Sequence, residues 1–132
     1  MKKELVFLKK RHRSNSISKD VSVNIQKNGK GRRNKISLTF RNKSYLKITR
    51  TGYITIAIYE ERIYFMAEDG LNGYKLSSTP NCKGDNRYIT IQPEEPESPD
   101  EIDYMKWAET HTGDFDLLFD KEEGLWYVDT EY

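Results

Sequence analysis

The sequence predicts an α+β protein: mainly an antiparallel β-sheet core with a short C-terminal helix and a β-hairpin. Three observations predict it. Apolar and polar residues alternate over several short runs rich in Ile, Val, Tyr and Thr, the pattern of half-buried strands. Turn residues separate those runs at short intervals, which suits hairpins. One helix start signal, Ser98-Pro99-Asp100-Glu101, stands near the C-terminus. The chain has 132 residues, 36% hydrophobic and 33% charged, enough for one domain with appendages and too few for a large multidomain enzyme.

Residues 1–20 read as a basic flexible arm, because 9–20 carry no hydrophobic period. Val21, Val23 and Ile25 alternate with polar neighbours, as do Ile36, Leu38 and Phe40, which predicts two strands around the loop 27–35. Residues 41–50 suit one or two helical turns with Tyr45 and Ile48 on one face, and Tyr53–Tyr59 is the clearest strand. A turn at Glu60-Glu61 leads into Arg62–Ala67, and Gly73–Leu76 and Tyr88–Ile91 complete a single antiparallel sheet of five or six strands, the β domain 21–92. Residues 93–100 form an acidic, proline-rich linker. Beyond it, 101–132 is expected as an acidic helix-hairpin module, its helix capped by Ser98 with Pro99 in the first turn and Glu101 closing a capping box. Phe115, Leu117 and Phe119 then form one hairpin arm and Leu125–Val128 the other.

The net charge of +1 conceals a gradient. Residues 1–50 hold 16 Lys and Arg against Glu4 and Asp20, whereas residues 93–132 hold 14 Asp and Glu against Lys106 and Lys121. Such asymmetry points to nucleic acid or to charged proteins as partners. The competing reading is that the two ends pair within the molecule.

The basic half offers Lys9, Lys10, Arg11, Arg13, Lys27, Lys30, Arg32, Arg33, Lys35, Arg41 and Lys43 as candidate phosphate contacts. Five of these lie in the glycine-containing loop 27–35. The acidic half offers Asp103, Trp107, Glu109, Asp114, Asp116, Asp120, Glu122, Glu123, Trp126 and Asp129 as a candidate partner surface. There carboxylates imitate phosphates and aromatic rings anchor.

Catalytic chemistry finds little support. Only His12 and His111 carry imidazoles, and His111 reads as a plain C-terminal helix residue favoured by the dipole. No nucleophile, base and orienting acid form a set. Asp114 and Asp116 share a strand face, but alternation directs them to solvent and not to a metal. The lone Cys82 permits neither an internal disulfide nor a cysteine zinc cage. The expectation is no enzyme, no cofactor and no metal. No apolar run is long enough to cross a membrane or to serve as a signal peptide, so the host cytoplasm is the expected location.

The stretch Lys35–Phe40, a helix-like Asn42–Ile48, Tyr53–Glu60, Glu61-Arg62 and Ile63–Phe65 resembles swapped-hairpin transcription regulators of the AbrB type over about 35 residues. That resemblance implies a dimer that binds DNA through basic loops. The small size, the Lys, Asn, Ile and Tyr usage and the opposed charged ends are similar to small proteins of phages and mobile elements, including anti-CRISPR inhibitors. The expected function is therefore a non-enzymatic, phage-type antagonist of host defence that inhibits an RNA-guided nuclease. Its basic half would bind guide RNA or target DNA, while its acidic aromatic end, acting as a DNA mimic, would block a basic DNA channel. The alternative is a dimeric AbrB-like DNA-binding regulator. Expected partners are nucleic acid, a basic nucleic-acid-binding protein such as an RNA-guided nuclease, or a second copy of the chain.

Overall fold

A computed structural model describes residues 19–27, 29, 33–78 and 86–131. Among these residues nine strands form two antiparallel sheets. The first has the order β6-β2-β1-β7, built from Val21–Gln26 (β1), Lys35–Phe40 (β2), Arg87–Ile91 (β6) and Gly113–Phe115 (β7). The second has the order β5-β3-β4-β9-β8, built from Tyr53–Tyr59 (β3), Arg62–Ala67 (β4), Tyr74–Lys75 (β5), Leu118–Asp120 (β8) and Leu125–Asp129 (β9). The protein is thus α+β with β dominant. Among the described residues the helical content is the 3-10 helix Ser44–Lys47 and one α-helix, Tyr104–Glu109 (α1).

Alternation explains what each strand buries. Val21 and Val23 of β1, Leu38 and Phe40 of β2, and Ile89 of β6 point into the core from the first sheet. Ile54 of β3, Ile63 and Phe65 of β4, and Val128 of β9 enter it from the second. Phe40 and Phe65 meet edge to face, with ring centroids 5.2 Å apart at 74°, and couple the two sheets. The single central sheet expected from sequence is therefore two. The 3-10 helix and the turn at Gly52 carry the chain from β2 in one layer to β3 in the other. Each strand's alternation shows its buried face but does not name its pairing partner.

The expected C-terminal hairpin forms, β8 against β9, but it is built into the second sheet and its first arm is shorter than predicted. β7 pairs with β1, setting Val21 opposite Phe115, while β9 pairs with β4 and β8. The predicted arm 114–119 breaks after Phe115, and Leu117 is buried with its N–H held by the Asp20 carboxylate at 3.0 Å. The Asp20 carbonyl also accepts the Arg41 N–H at 2.8 Å and the Ser44 hydroxyl at 3.2 Å. One residue thus ties the start of β1 to the 3-10 helix and to the β7–β8 break.

The α-helix begins later than predicted. Asp103 caps it, its carboxylate accepting the Lys106 N–H at 3.1 Å. Ser98–Glu101 instead closes a separate turn, and the Glu101 carboxylate reaches back to the N–H of Glu97 rather than of Ser98. The helix lies against β1 and β2 and buries Ala108 completely. From there the Trp107 indole N–H donates to the Glu60 carbonyl at 2.9 Å. Glu60 occupies the left-handed region at φ 53° in the two-residue turn between β3 and β4, so the helix clamps a strained turn of the opposite sheet.

Candidate charged surfaces

The described members of the predicted basic set do not form one patch. Lys9, Lys10, Arg11, Arg13, Lys30 and Arg32 lie outside the described residues, as do His12 and Cys82. Lys27 is exposed after β1, and Lys35 opens β2. Arg41 and Lys43 follow the far end of β2, so Lys35 and Arg41 are separated by about 20 Å of strand. Lys43, at φ 61°, caps the 3-10 helix by its backbone alone.

Two of these cations face the acidic end of the same chain. Arg33 lies 3.6 Å from Glu95, and Arg41 binds the Asp114 carboxylate at 3.1 Å and the Lys19 carbonyl at 3.4 Å. The intramolecular pairing left open by the sequence is therefore present at both ends of β2. Partial burial pushes the Asp114 carboxyl up. Hydrogen bonds from Ser22 and Arg41, with the positive charges of Arg41 and Lys19, outweigh it and leave the group below the usual carboxylate range.

The ten predicted acidic and aromatic residues divide into two sets. Six serve the fold. Asp103 is the helix cap; Trp107 stacks on His111 with centroids 4.0 Å apart; and Trp126 packs on Phe119 beneath Lys47. Asp114 pairs with Arg41, and Asp129 sits 3.6 Å from Arg62. Asp120 closes the β8–β9 turn by accepting the N–H groups of Glu122 and Glu123 at 2.9 and 3.1 Å, and it also accepts the Tyr64 hydroxyl. The Glu123 N–H is the strongest influence holding the Asp120 carboxyl below its ordinary value, aided by Tyr64, Glu122 and Arg62 against partial desolvation. The other four, Glu109, Asp116, Glu122 and Glu123, expose their carboxylates to solvent. Asp114 and Asp116 do not converge, since the first turns to Arg41 and the second lies beyond the end of β7.

His111 is more than a helix-end residue. Its Nε2 meets the Glu61 carboxylate and its Nδ1 lies 2.8 Å from the Thr110 hydroxyl, so the imidazole bolts the end of α1 to the β3–β4 turn. Among the described residues no three His, Cys, Asp or Glu side chains are grouped to hold a metal ion. Among the same residues no helix is long and apolar enough to cross a membrane.

Sequence reasoning missed the most continuous acidic feature. The stretch Pro93–Asp103, of which 93–100 reads as a linker and the rest as the start of the helix module, forms a ridge that exposes Glu94, Glu95, Glu97, Asp100 and Glu101. Ile102 and Tyr104 stand exposed beside them, 50% and 38% open to solvent. A cleft of about 580 Å³ runs between the ridge and Tyr104, and another of about 210 Å³ joins Glu94 and Glu95 to Glu109 and Arg33. The run Pro-Glu-Glu-Pro-Glu-Ser-Pro-Asp-Glu carried the signal in its charge density, but its prolines directed the reading to a spacer. Over all described residues 13 Lys and Arg face 19 Asp and Glu, so the described body is acidic although the whole chain is not. No family model, curated protein or solved structure matches the chain.

Proposed function

We propose that the protein is a non-enzymatic inhibitor that lays its acidic ridge into the Lys/Arg-lined nucleic-acid channel of another protein, an anti-CRISPR-like antagonist of an RNA-guided nuclease. The observation that supports this most is the row of exposed carboxylates at 94–101, fixed by three prolines and by the Glu97–Glu101 hydrogen bond. A prefixed row of carboxylates loses little entropy on docking and meets a basic channel much as a phosphate backbone does. Ile102 and Tyr104 supply the apolar contact that a purely electrostatic association lacks. The remaining carboxylates of the described body add a negative field that speeds encounter with a basic surface at low salt. The basic sequence 1–18, with six Lys and Arg against Glu4, is then the contact for guide RNA or target DNA.

The test is single-turnover cleavage of a labelled target duplex by a panel of purified RNA-guided nucleases, with the wild-type chain or a Glu95→Lys, Glu97→Lys, Glu101→Lys variant added. Wild type slows loading of the target on at least one nuclease, and the reversal of charge weakens that inhibition tenfold or more while the melting temperature stays put. Retardation of the duplex by the chain alone, equal for both proteins and lost between about 50 and 200 mM salt, would replace this reading with the DNA-binding regulator.

A further inference from the structure

Among the described residues the second sheet has an unfinished edge. On the side of β3 away from β4, β5 covers only Tyr53 and Ile54, so residues 55–59 have no neighbouring strand among the described residues. The antiparallel ladder fixes which backbone groups this leaves open. Tyr59 and Arg62 close the two-residue turn as a hydrogen-bonded pair, hence Tyr59, Ala57 and Thr55 bond toward β4. Ile56 and Ile58 therefore aim their N–H and C=O groups outward, at the free edge.

Both faces beside this edge are hollow. On the inner face Ile36, Ile56, Ile58 and Ile91 line a groove of about 410 Å³, rimmed by Tyr104 and Glu94. On the outer face Ala57 leaves a depression of about 380 Å³ against Tyr59, Tyr64, Leu125 and Glu123. Tyr59 is 64% exposed there.

We infer that this edge binds an extended peptide in which apolar and basic side chains alternate, added to β3 as a tenth strand. The backbone of such a peptide satisfies the open groups of Ile56 and Ile58. Its apolar side chains, all on one face, enter the isoleucine groove. Its Lys or Arg side chains, on the other face, lay their stems over Ala57 and on Tyr59 with their charges toward Glu123, since Arg62 already donates to the Tyr64 hydroxyl at 3.0 Å. A second copy of the chain suits the edge less well. β3 itself, Tyr-Ile-Thr-Ile-Ala-Ile-Tyr, carries no Lys or Arg, so a second copy of it would leave Glu123 without a cation. The inference goes beyond the proposed function: the edge shares Glu94 and Tyr104 with the ridge but not Glu95, Glu97 or Glu101.

The experiment is fluorescence polarisation of a labelled decapeptide of alternating lysine and valine with the full chain. Three companions are used: the same peptide N-methylated at every second amide, a glutamate-valine peptide, and the Ile58→Pro variant, which removes an outward N–H without touching the β4 ladder. Saturable binding that falls at least tenfold with N-methylation and with glutamate supports the inference, as does slowed amide exchange at Ile56 and Ile58 on binding. The N-methylated peptide keeps the test decisive even where Ile58→Pro fails to fold. Equal binding of methylated and unmethylated peptides would overturn it, since charge alone would then suffice. A chain that sediments as a dimer, and as a monomer with Ile58→Pro, would overturn it in favour of a second copy. Retained peptide binding by the Glu95→Lys, Glu97→Lys, Glu101→Lys chain separates this edge from the ridge.

Discussion

Residues 93–103 and 113–131 are equally acidic to the eye, yet the fold uses them in opposite ways. The later stretch buries Phe115, Leu117 and Val128 and spends Asp114, Asp120 and Asp129 on Arg41, on its own turn and on Arg62. The earlier stretch buries no large apolar side chain and keeps most of its carboxylates in water. A carboxylate's role here follows from what lies beside it in space. Interleaved apolar residues draw a segment into a sheet, where its acids acquire partners. Interleaved prolines keep a segment outside the ladder, where its acids stay available.

The largest test of this difference compares two truncations. Phe115→Ala, in the embedded stretch, should cost about 3–5 kcal/mol, whereas Ile102→Ala on the ridge should change stability by less than about 0.5 kcal/mol. Urea unfolding of the two variants measures both. Next in size is the response to acid. The Asp114 and Asp120 carboxyls titrate lower in the folded than in the unfolded chain, so the unfolded chain binds more protons and acid favours unfolding. Their contribution is complete above the ordinary carboxylate pKa near 4 and is lost as pH falls through the lower folded values. Urea midpoints should therefore drop below about pH 4, and drop less steeply in an Asp114→Asn, Asp120→Asn double variant. A triple charge reversal at Glu95, Glu97 and Glu101 should leave that slope in place. Smallest is Asp103→Ala, which removes the cap of a helix just six residues long and should cost about 1 kcal/mol by thermal melting.

These contrasts also mark what could be read from the chain. The strands were legible because Ile36, Leu38 and Phe40, or Ile54, Ile56 and Ile58, repeat at the period of a pleat that has one buried face. The division into two sheets was not, because pairing depends on contacts such as Phe40 with Phe65 that are remote in sequence. The helix start was misplaced for a local reason. Ser98–Glu101 satisfies capping chemistry within a single turn, and only at Asp103 does a cap precede side chains, Trp107 and Ala108, that can be buried. The acidic ridge was visible as composition and invisible as structure. The open edge of β3 left no mark at all, since an unpaired strand and a paired one share the same alternation.

The seam at Asp20 has a consequence for the order of assembly. Its carboxylate waits for the N–H of Leu117, 97 residues further on, and Val21 waits for Phe115. A ribosome delivers β1 and β2 well before β7, so the outer side of β1 stays uncovered until Gly113–Phe115 emerge. Folding cannot proceed by stacking finished pieces from the N-terminus. The β1–β2 hairpin keeps one side open until residues 113–115 follow, and only then does β7 close the first sheet.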